Sequence, residues 1–494
     1  MAILKINIRF LIMLLAMINL TLVKVSAQNI SPYLNRKNFK ENKKYAVEFS
    51  GIINTNLAHS SQKNTSSNRN LADGFSKNYQ EDVVSAGLDN QSFIKGGFKI
   101  NDNNHLGIIA KIELNYNSNS RKEHPNLDQF FGYLENPWGK IELGNFLPVN
   151  QRLKTGPASF ARGAGGINGK YLEHVNLPVL SQNNSLCGAN ILSNNCRNLN
   201  LPRFITLAQS PIGHGGYAKG FYPRDVDNIY GSPQQASYFN RHNFRALKDN
   251  SYEGLEDALK FSFLSKRVNQ WQLGLSYAPR SHNQGFTAKT APDSKDVRLN
   301  NLWSMGLNYV NDVDNWHYSF SSTAEYGQAQ SLNAIQRKDL LSYDIGATAS
   351  YFGFSLGASV GSWGKSLSAK NGVYSCFYAQ GKNLANQDCA TQNNQLKNSY
   401  YYTTGLAYEI GPIKSSITSI NSNFQNNKYQ AISFGVDYKI QKNLIAYLEI
   451  TGFNFKNNPA LLLDINNQTT LANSANNINN NSGKVLLSGI YYMF

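Results

Sequence analysis

The chain has 494 residues, 41% of them hydrophobic, 12% aromatic and 16% charged, with a mean hydropathy of −0.42. That is too polar for a bundle of membrane helices, too rich in Tyr (28) and Phe (26) for disorder, and below the roughly 25% charge of ordinary soluble domains. The formal charge of +16 raises nucleic acid as a partner, but the Lys and Arg residues are spread along the whole chain, with no basic run longer than the Lys43-Lys44 neighbourhood.

In chain order, residues 1–27 have the three parts of a secretory signal peptide. Lys5 and Arg9 supply the positive end, Phe10 to Val23 the apolar run, and Val25-Ser26-Ala27 the small residues before a cut after Ala27. The apolar run is shorter than the roughly 20 residues of a membrane-spanning helix. Losing Lys5, Arg9 and Lys24 takes the charge from +16 to +13. Residues 28–43 then read as a short periplasmic segment before a barrel domain over 44–494.

From residue 44 onward apolar and polar residues alternate in segments of about ten, the period of strands with one dry and one wet face. Leu106, Ile108, Ala110, Ile112, Leu114 and Tyr116 share one face; Gly107, Lys111, Glu113 and Asn115 share the other. Trp271-Leu273-Leu275-Tyr277, Trp303-Met305-Leu307-Tyr309, Tyr343 to Tyr351 and Ile432 to Ile440 repeat the pattern. The periodicity predicts strands at 44–58, 91–101, 105–117, 127–137, 139–149, 201–211, 214–223, 256–267, 270–279, 300–311, 315–328, 341–352, 354–366, 399–410, 413–424, 429–440, 444–456 and 484–494. This makes eighteen strands, or sixteen if the weakly patterned pair over 201–223 drops out. Short turns such as Asp312–Asn315, Phe352-Gly353 and Gly411-Pro412 alternate with long polar loops at 59–90, 153–200, 226–255, 281–298, 369–398 and 457–483. Aromatics at the stripe ends, a wet opposite face and turns of alternating length predict an all-β fold, a transmembrane antiparallel β-barrel.

Four cysteines agree with an oxidising destination. Of three possible pairings, two local bridges are the economical one, Cys187 with Cys196 and Cys376 with Cys389. Zinc is disfavoured, because no CxxC and no His stands at ligand spacing.

The stretch DQFFGYLENPWGKIELGN, Asp128 to Asn145, resembles the strand–turn–strand that leads into the constriction loop of Gram-negative general porins. The chain ends Ile490-Tyr491-Tyr492-Met493-Phe494, and Ile490, Tyr492 and Phe494 match the terminal signal that the outer-membrane assembly machinery reads in that family; Ser488 departs from it. The resemblance implies the outer membrane of a Gram-negative bacterium and passive diffusion of small hydrophilic solutes and ions. It also implies a homotrimer, and a third loop folded inward to narrow the lumen.

The matching loop is about 153–200, whose first part is Gly-rich and carries Lys154, Arg162 and Lys170, with Glu173 as its acid. Alternation aims Lys95, Lys99, Lys111 and Glu113 inward, with Glu142 on the fifth strand. Like charges lining a constriction set ion preference, so this set predicts mild anion selectivity. A phosphate-binding loop is approached at Ala164 to Lys170, but Tyr171 stands where Ser or Thr is needed. The eight histidines, His174 among them, fall mostly in loops and read as solvated, with none in a GxSxG-like or HExxH context. No catalytic, cofactor or metal site is expected. The competing readings are a surface adhesin or structural barrel and, behind it, a barrel-borne hydrolase.

Overall fold

The computed structural model describes residues 45–63, 82–101, 103–117, 126–161, 163–168, 170–175, 203–204, 218–219, 258–280, 298–330, 338–366, 398–424, 426–456 and 480–494. The signal-peptide and periplasmic-segment expectations, and the four cysteines Cys187, Cys196, Cys376 and Cys389, fall outside these residues.

The strands run β1 (Tyr45–Gln62), β2 (Asp82–Asn101), β3 (Asn104–Asn117), β4 (Asn126–Asn136) and β5 (Gly139–Asn145). A short helix α1 (Val149–Leu153) and 3-10 turns at Pro157–Ser159, Gly166–Asn168 and Lys170–His174 follow. Then come β6 (Arg203–Phe204), β7 (Ala218–Lys219), β8 (Leu259–Ser265), β9 (Trp271–Arg280), β10 (Arg298–Val313), β11 (Trp316–Gln330) and β12 (Leu340–Tyr351). The last are β13 (Phe354–Gly364), β14 (Ser399–Ile410), β15 (Ile413–Phe424), β16 (Asn427–Gln441), β17 (Leu444–Lys456) and β18 (Asn481–Met493).

Sixteen strands close into one antiparallel barrel, with β5 paired directly to β8 and β1 to β18. Closure leaves no sheet edge, so every wall strand finds partners on both sides, as a hydrocarbon environment demands. Of the two counts the pattern allows, sixteen is the one found. Of the strands expected at 201–211 and 214–223, Arg203–Phe204 and Ala218–Lys219 are among the described residues; these, β6 and β7, pair with each other and not with the wall. The sequence there carries Pro202, Pro211, Gly215, Gly216 and Gly220, residue types that remove a ladder donor or weaken a strand. The fifth strand also stops at Asn145 instead of continuing to residue 149, and β2 starts earlier than expected, at Asp82.

Alternation sorts each strand as its sequence implies. On β9, Leu273 and Leu275 are exposed while Gln272 and Ser276 are buried. The apolar stripe of β12 runs Ile345, Ala347, Ala349 between Tyr343 and Tyr351, both exposed. Eight steps of about 3.4 Å give roughly 27 Å along the strand, or roughly 21 Å of height at a tilt of about 40°, near the ~25 Å apolar band of an outer-membrane barrel. Aromatic pairs occur toward both ends of the strands: Tyr277 against Trp303 at 4.6 Å, and Trp271 against Tyr309 at 4.9 Å. Among the described residues no helix is long and apolar enough to cross a membrane; the strands are the crossing elements.

The turns are built locally. Phe352 and Gly353 both have positive φ (43° and 84°), the two-residue hairpin geometry that matches strand twist. A side chain at Gly353 would overlap the Glu409 carbonyl. The buried apolar cluster lies against the polar face of the wall. There Ile167, Tyr171, Leu172 and Val175 join residues of the later strands such as Tyr429, Phe455 and Val485.

Candidate functional site: a belt on the polar face of the barrel

The described part of residues 146–175, called the belt below, leaves the end of β5 and follows the polar face of the wall in strand order. Phe146 accepts at its carbonyl from Lys260 on β8. The Val149 amide donates to Ser276 on β9 at 3.0 Å, and α1 packs on β9, β10 and β11. Thr155 donates from its amide to Ser321 at 2.8 Å, and its hydroxyl meets Ser319 at 2.7 Å, both on β11. The turn at Pro157–Ser159 lies against β13 and β14, and the turn at Gly166–Asn168 against β15, β16 and β17. The Gly163 amide donates to Asp437 at 3.2 Å, and the Gly166 amide to Glu449 at 2.9 Å. At the far end His174 meets Ser85 on β2 at 2.6 Å through Nδ1 and Asn56 on β1 at 3.0 Å through Nε2. Gln62 donates to the His174 carbonyl at 3.1 Å. This histidine, read from sequence as a solvated loop residue, is buried because the belt end is drawn onto the wall.

The ionisable side chains expected at the site, where described, fall into two groups. One fastens the belt. Glu142 on β5 is fully buried between Arg152 of α1, which forms a two-nitrogen contact with it, and Lys140 at 2.8 Å. Lys154 donates to the Tyr401 hydroxyl at 3.1 Å and lies 3.9 Å from Asp344, to which Tyr401 itself donates. Burial holds the Lys154 ammonium below the ordinary lysine range, although Asp344 and Glu325 pull the other way.

The other group lies on β2 and β3. Lys95 is 3.9 Å from Glu48 and 6.0 Å from the centre of the Tyr133 ring. Lys111 is buried, 6.0 Å from the centre of the Phe93 ring. Lys99 is half-buried two positions along the same face from Gly97. Lys170 is half-buried at the start of the Lys170–His174 turn. The structure thus brings Lys154 and Glu142 into the belt contacts and places Lys95, Lys99 and Lys111 together on the adjoining wall. Arg162, and the side chains of Glu113 and Glu173, fall outside the described residues.

Phe494 exchanges both backbone hydrogen bonds with Gly51, at 2.9 and 3.0 Å, and its ring packs on Phe49 at 5.3 Å and Tyr492 at 6.1 Å. The expected terminal pattern is therefore part of the seam that closes the barrel.

Residues 216–458, just under half of the chain, match the family described as Gram-negative porin. The barrel is similar in fold to an anion-selective porin from Comamonas acidovorans, at 12% identity and a TM-score of 0.46 over 91% of this chain and all of that one. It is also similar to a loop L8 deletion mutant of OmpT, an outer membrane protein of Vibrio cholerae, at 9% identity and a TM-score of 0.44 over 92% of this chain and all of that one. Uncharacterized proteins of Rickettsia felis and Rickettsia prowazekii are 24% and 25% identical, each over 68% of this chain and 72% of their own length.

Several contacts that hold the belt to the wall carry little or no signal in the sequence. Arg152, Asp344, Asp437, Glu449 and His174 all fasten the belt. Three of them carried a signal. Asp344, Asp437 and Glu449 each stand between two outward apolar neighbours, which puts a carboxylate on the polar face of an alternating strand. Arg152 and His174 carried none, because their partners lie on strands distant in sequence.

Proposed function

We propose that this protein forms a water-filled channel in the outer membrane for passive diffusion of small hydrophilic solutes and ions, with residues 146–175 as an inward constriction. The observation that supports it is the course of the belt, fastened to polar-face residues from β8 round to β1 and β2. A segment placed in this way occupies the cross-section through which solutes pass.

The constriction is mildly anion-preferring. Glu142, Asp344, Asp437 and Glu449 are all engaged by belt donors or by hydroxyls that also hold it. Lys95, Lys99 and Lys111 line the adjoining wall, where Glu48 is the acid 3.9 Å from Lys95. Lys170 adds positive charge from the belt; in sequence the same segment carries Arg162 and Glu173, and β3 carries Glu113. In a confined pore such an excess concentrates counter-ions.

The remaining features fit the same reading. Cleavage after Ala27 releases the mature chain, and the Ile490, Tyr492 and Phe494 pattern hands it to the barrel assembly machinery. Bridges Cys187–Cys196 and Cys376–Cys389 staple two outer loops, and the working unit is a homotrimer in outer-membrane lipid. A channel fits better than a hydrolase, since Ser85, His174 and Asn56 are all buried and used to hold the belt end. The test is the reversal potential in a planar bilayer under a KCl gradient. Stable current steps with anion preference support the reading, and a clear cation preference removes its selectivity half.

A further inference from the structure

The wall beneath the belt has a feature the hydrogen bonds do not account for. Five glycines lie on the polar face of β9, β10, β12, β13 and β14, and each stands under a belt residue. A Cβ at Gly274 would come within 2.8 Å of the Val149 Cβ, and one at Gly306 within 3.0 Å of Leu153. At Gly346 it would overlap the Thr155 carbonyl oxygen. At Gly357 it would come within 2.9 Å of the Phe160 ring, and at Gly405 within 2.5 Å of the Pro157 Cβ. Gly274 faces Gly306 across one strand pair, and Gly357 faces Gly405 across another. On the intervening β11 the seat is made by hydroxyls instead, Ser319 and Ser321, which bond Thr155.

Glycine in a strand interior carries an entropic cost of roughly 0.5–1 kcal/mol and offers no side chain to pack. A row of them under one segment therefore needs a local reason, and close approach of that segment supplies it. We infer that these five glycines form a groove that seats the belt against the wall and thereby sets the bore of the channel. The inference rests on the constriction reading above. A side chain added in the groove has a continuous hydrogen-bonded sheet behind it, so the belt is the part that moves, and it moves into the lumen. At Gly346 the Thr155 carbonyl must retreat by about 1.5 Å to reach the ordinary C···O separation of about 3.3 Å.

The experiment is single-channel recording on purified full-length protein carrying Gly346→Ala, Gly405→Ala or Gly357→Ala. Gly435→Ala is the control, because its Cβ would sit at ordinary distances, 3.4 Å from Ser416 and 3.8 Å from Ala161. The groove predicts a loss of conductance in the three variants and none in the control. Gly357→Ala meets the far end of the Phe160 ring and, at 3.1 Å, the Thr348 methyl, with no backbone atom as close, so it keeps the test alive where Gly346→Ala fails to fold. Adding Phe160→Leu to Gly357→Ala should restore its conductance. Conductance unchanged in Gly405→Ala and Gly357→Ala, or an equal loss in Gly435→Ala, overturns the groove. If unsubstituted protein conducts nothing, the channel reading itself falls, which is a separate result.

Discussion

Lys154 lies 3.9 Å from Asp344 and donates to Tyr401 at 3.1 Å, joining the belt to β12 and β14 across the barrel wall. Its side chain is 4% exposed, and burial holds its ammonium below the usual lysine range. Lys154 in the folded barrel therefore gives up its proton at a lower pH than in the unfolded chain. Between those two values the unfolded state binds more protons, so stability rises with pH through that window. Over the same window the constriction loses one positive charge, so the anion preference proposed for it should weaken. Lys154→Met should flatten both profiles; denaturant unfolding and reversal potentials, followed as pH is raised toward the ordinary lysine range, check this. Profiles identical to the unsubstituted protein would contradict it.

Arg152 and Glu142 form the second fastening, with Glu142 fully buried. Removing one partner of a buried pair leaves a desolvated charge, at a cost of about 3–5 kcal/mol. Lys140, 2.8 Å from Glu142, retains part of that stabilisation. Arg152→Ala should therefore lower the unfolding free energy by about 2–3 kcal/mol, below the full cost. Its current traces should fluctuate where the unsubstituted channel is steady.

The belt's amides are held by wall carboxylates. Glu449→Ala removes the acceptor of the Gly166 amide, and a buried donor left unsatisfied costs about 1–3 kcal/mol. Glu449→Gln keeps an oxygen in place and should cost less. Chemical unfolding of the two variants side by side should give that order; equal losses would mean the charge matters and the hydrogen bond does not.

At the seam, Gly51 leaves room for the last residue of the chain. A Cβ there would sit 2.5 Å from the Gln91 carbonyl and 2.6 Å from the Phe494 ring. Gly51→Ala should destabilise by about 1–3 kcal/mol, as overpacking does. Deleting Phe494 should also remove both hydrogen bonds to Gly51. Thermal unfolding in detergent reads the first. The yield of folded barrel in the outer membrane reads the second.

Much of this wall is legible in single strands. Tyr343 to Tyr351 or Trp271 to Tyr277 announces its dry face by a period of two, because that face is in contact with one medium along its whole length. The weakly patterned segment 201–223 carries Pro202 and Pro211, which a strand ladder accommodates poorly however apolar their neighbours are. Lys95, Lys111 and Glu142 could be aimed by parity. The belt could not be traced, because its course depends on pairs such as Gly166 with Glu449 and His174 with Asn56, separated by 283 and 118 positions. Nothing local encodes that a Gly-rich stretch lies along the polar face or that five wall glycines lie beneath it.

The most direct test is planar-bilayer recording of the purified, unheated protein under a KCl gradient. Steps of uniform conductance with a reversal potential on the anion-selective side are predicted, with the anion preference reduced in Lys95→Gln and Lys111→Gln. A folded barrel that passes no current would contradict the channel.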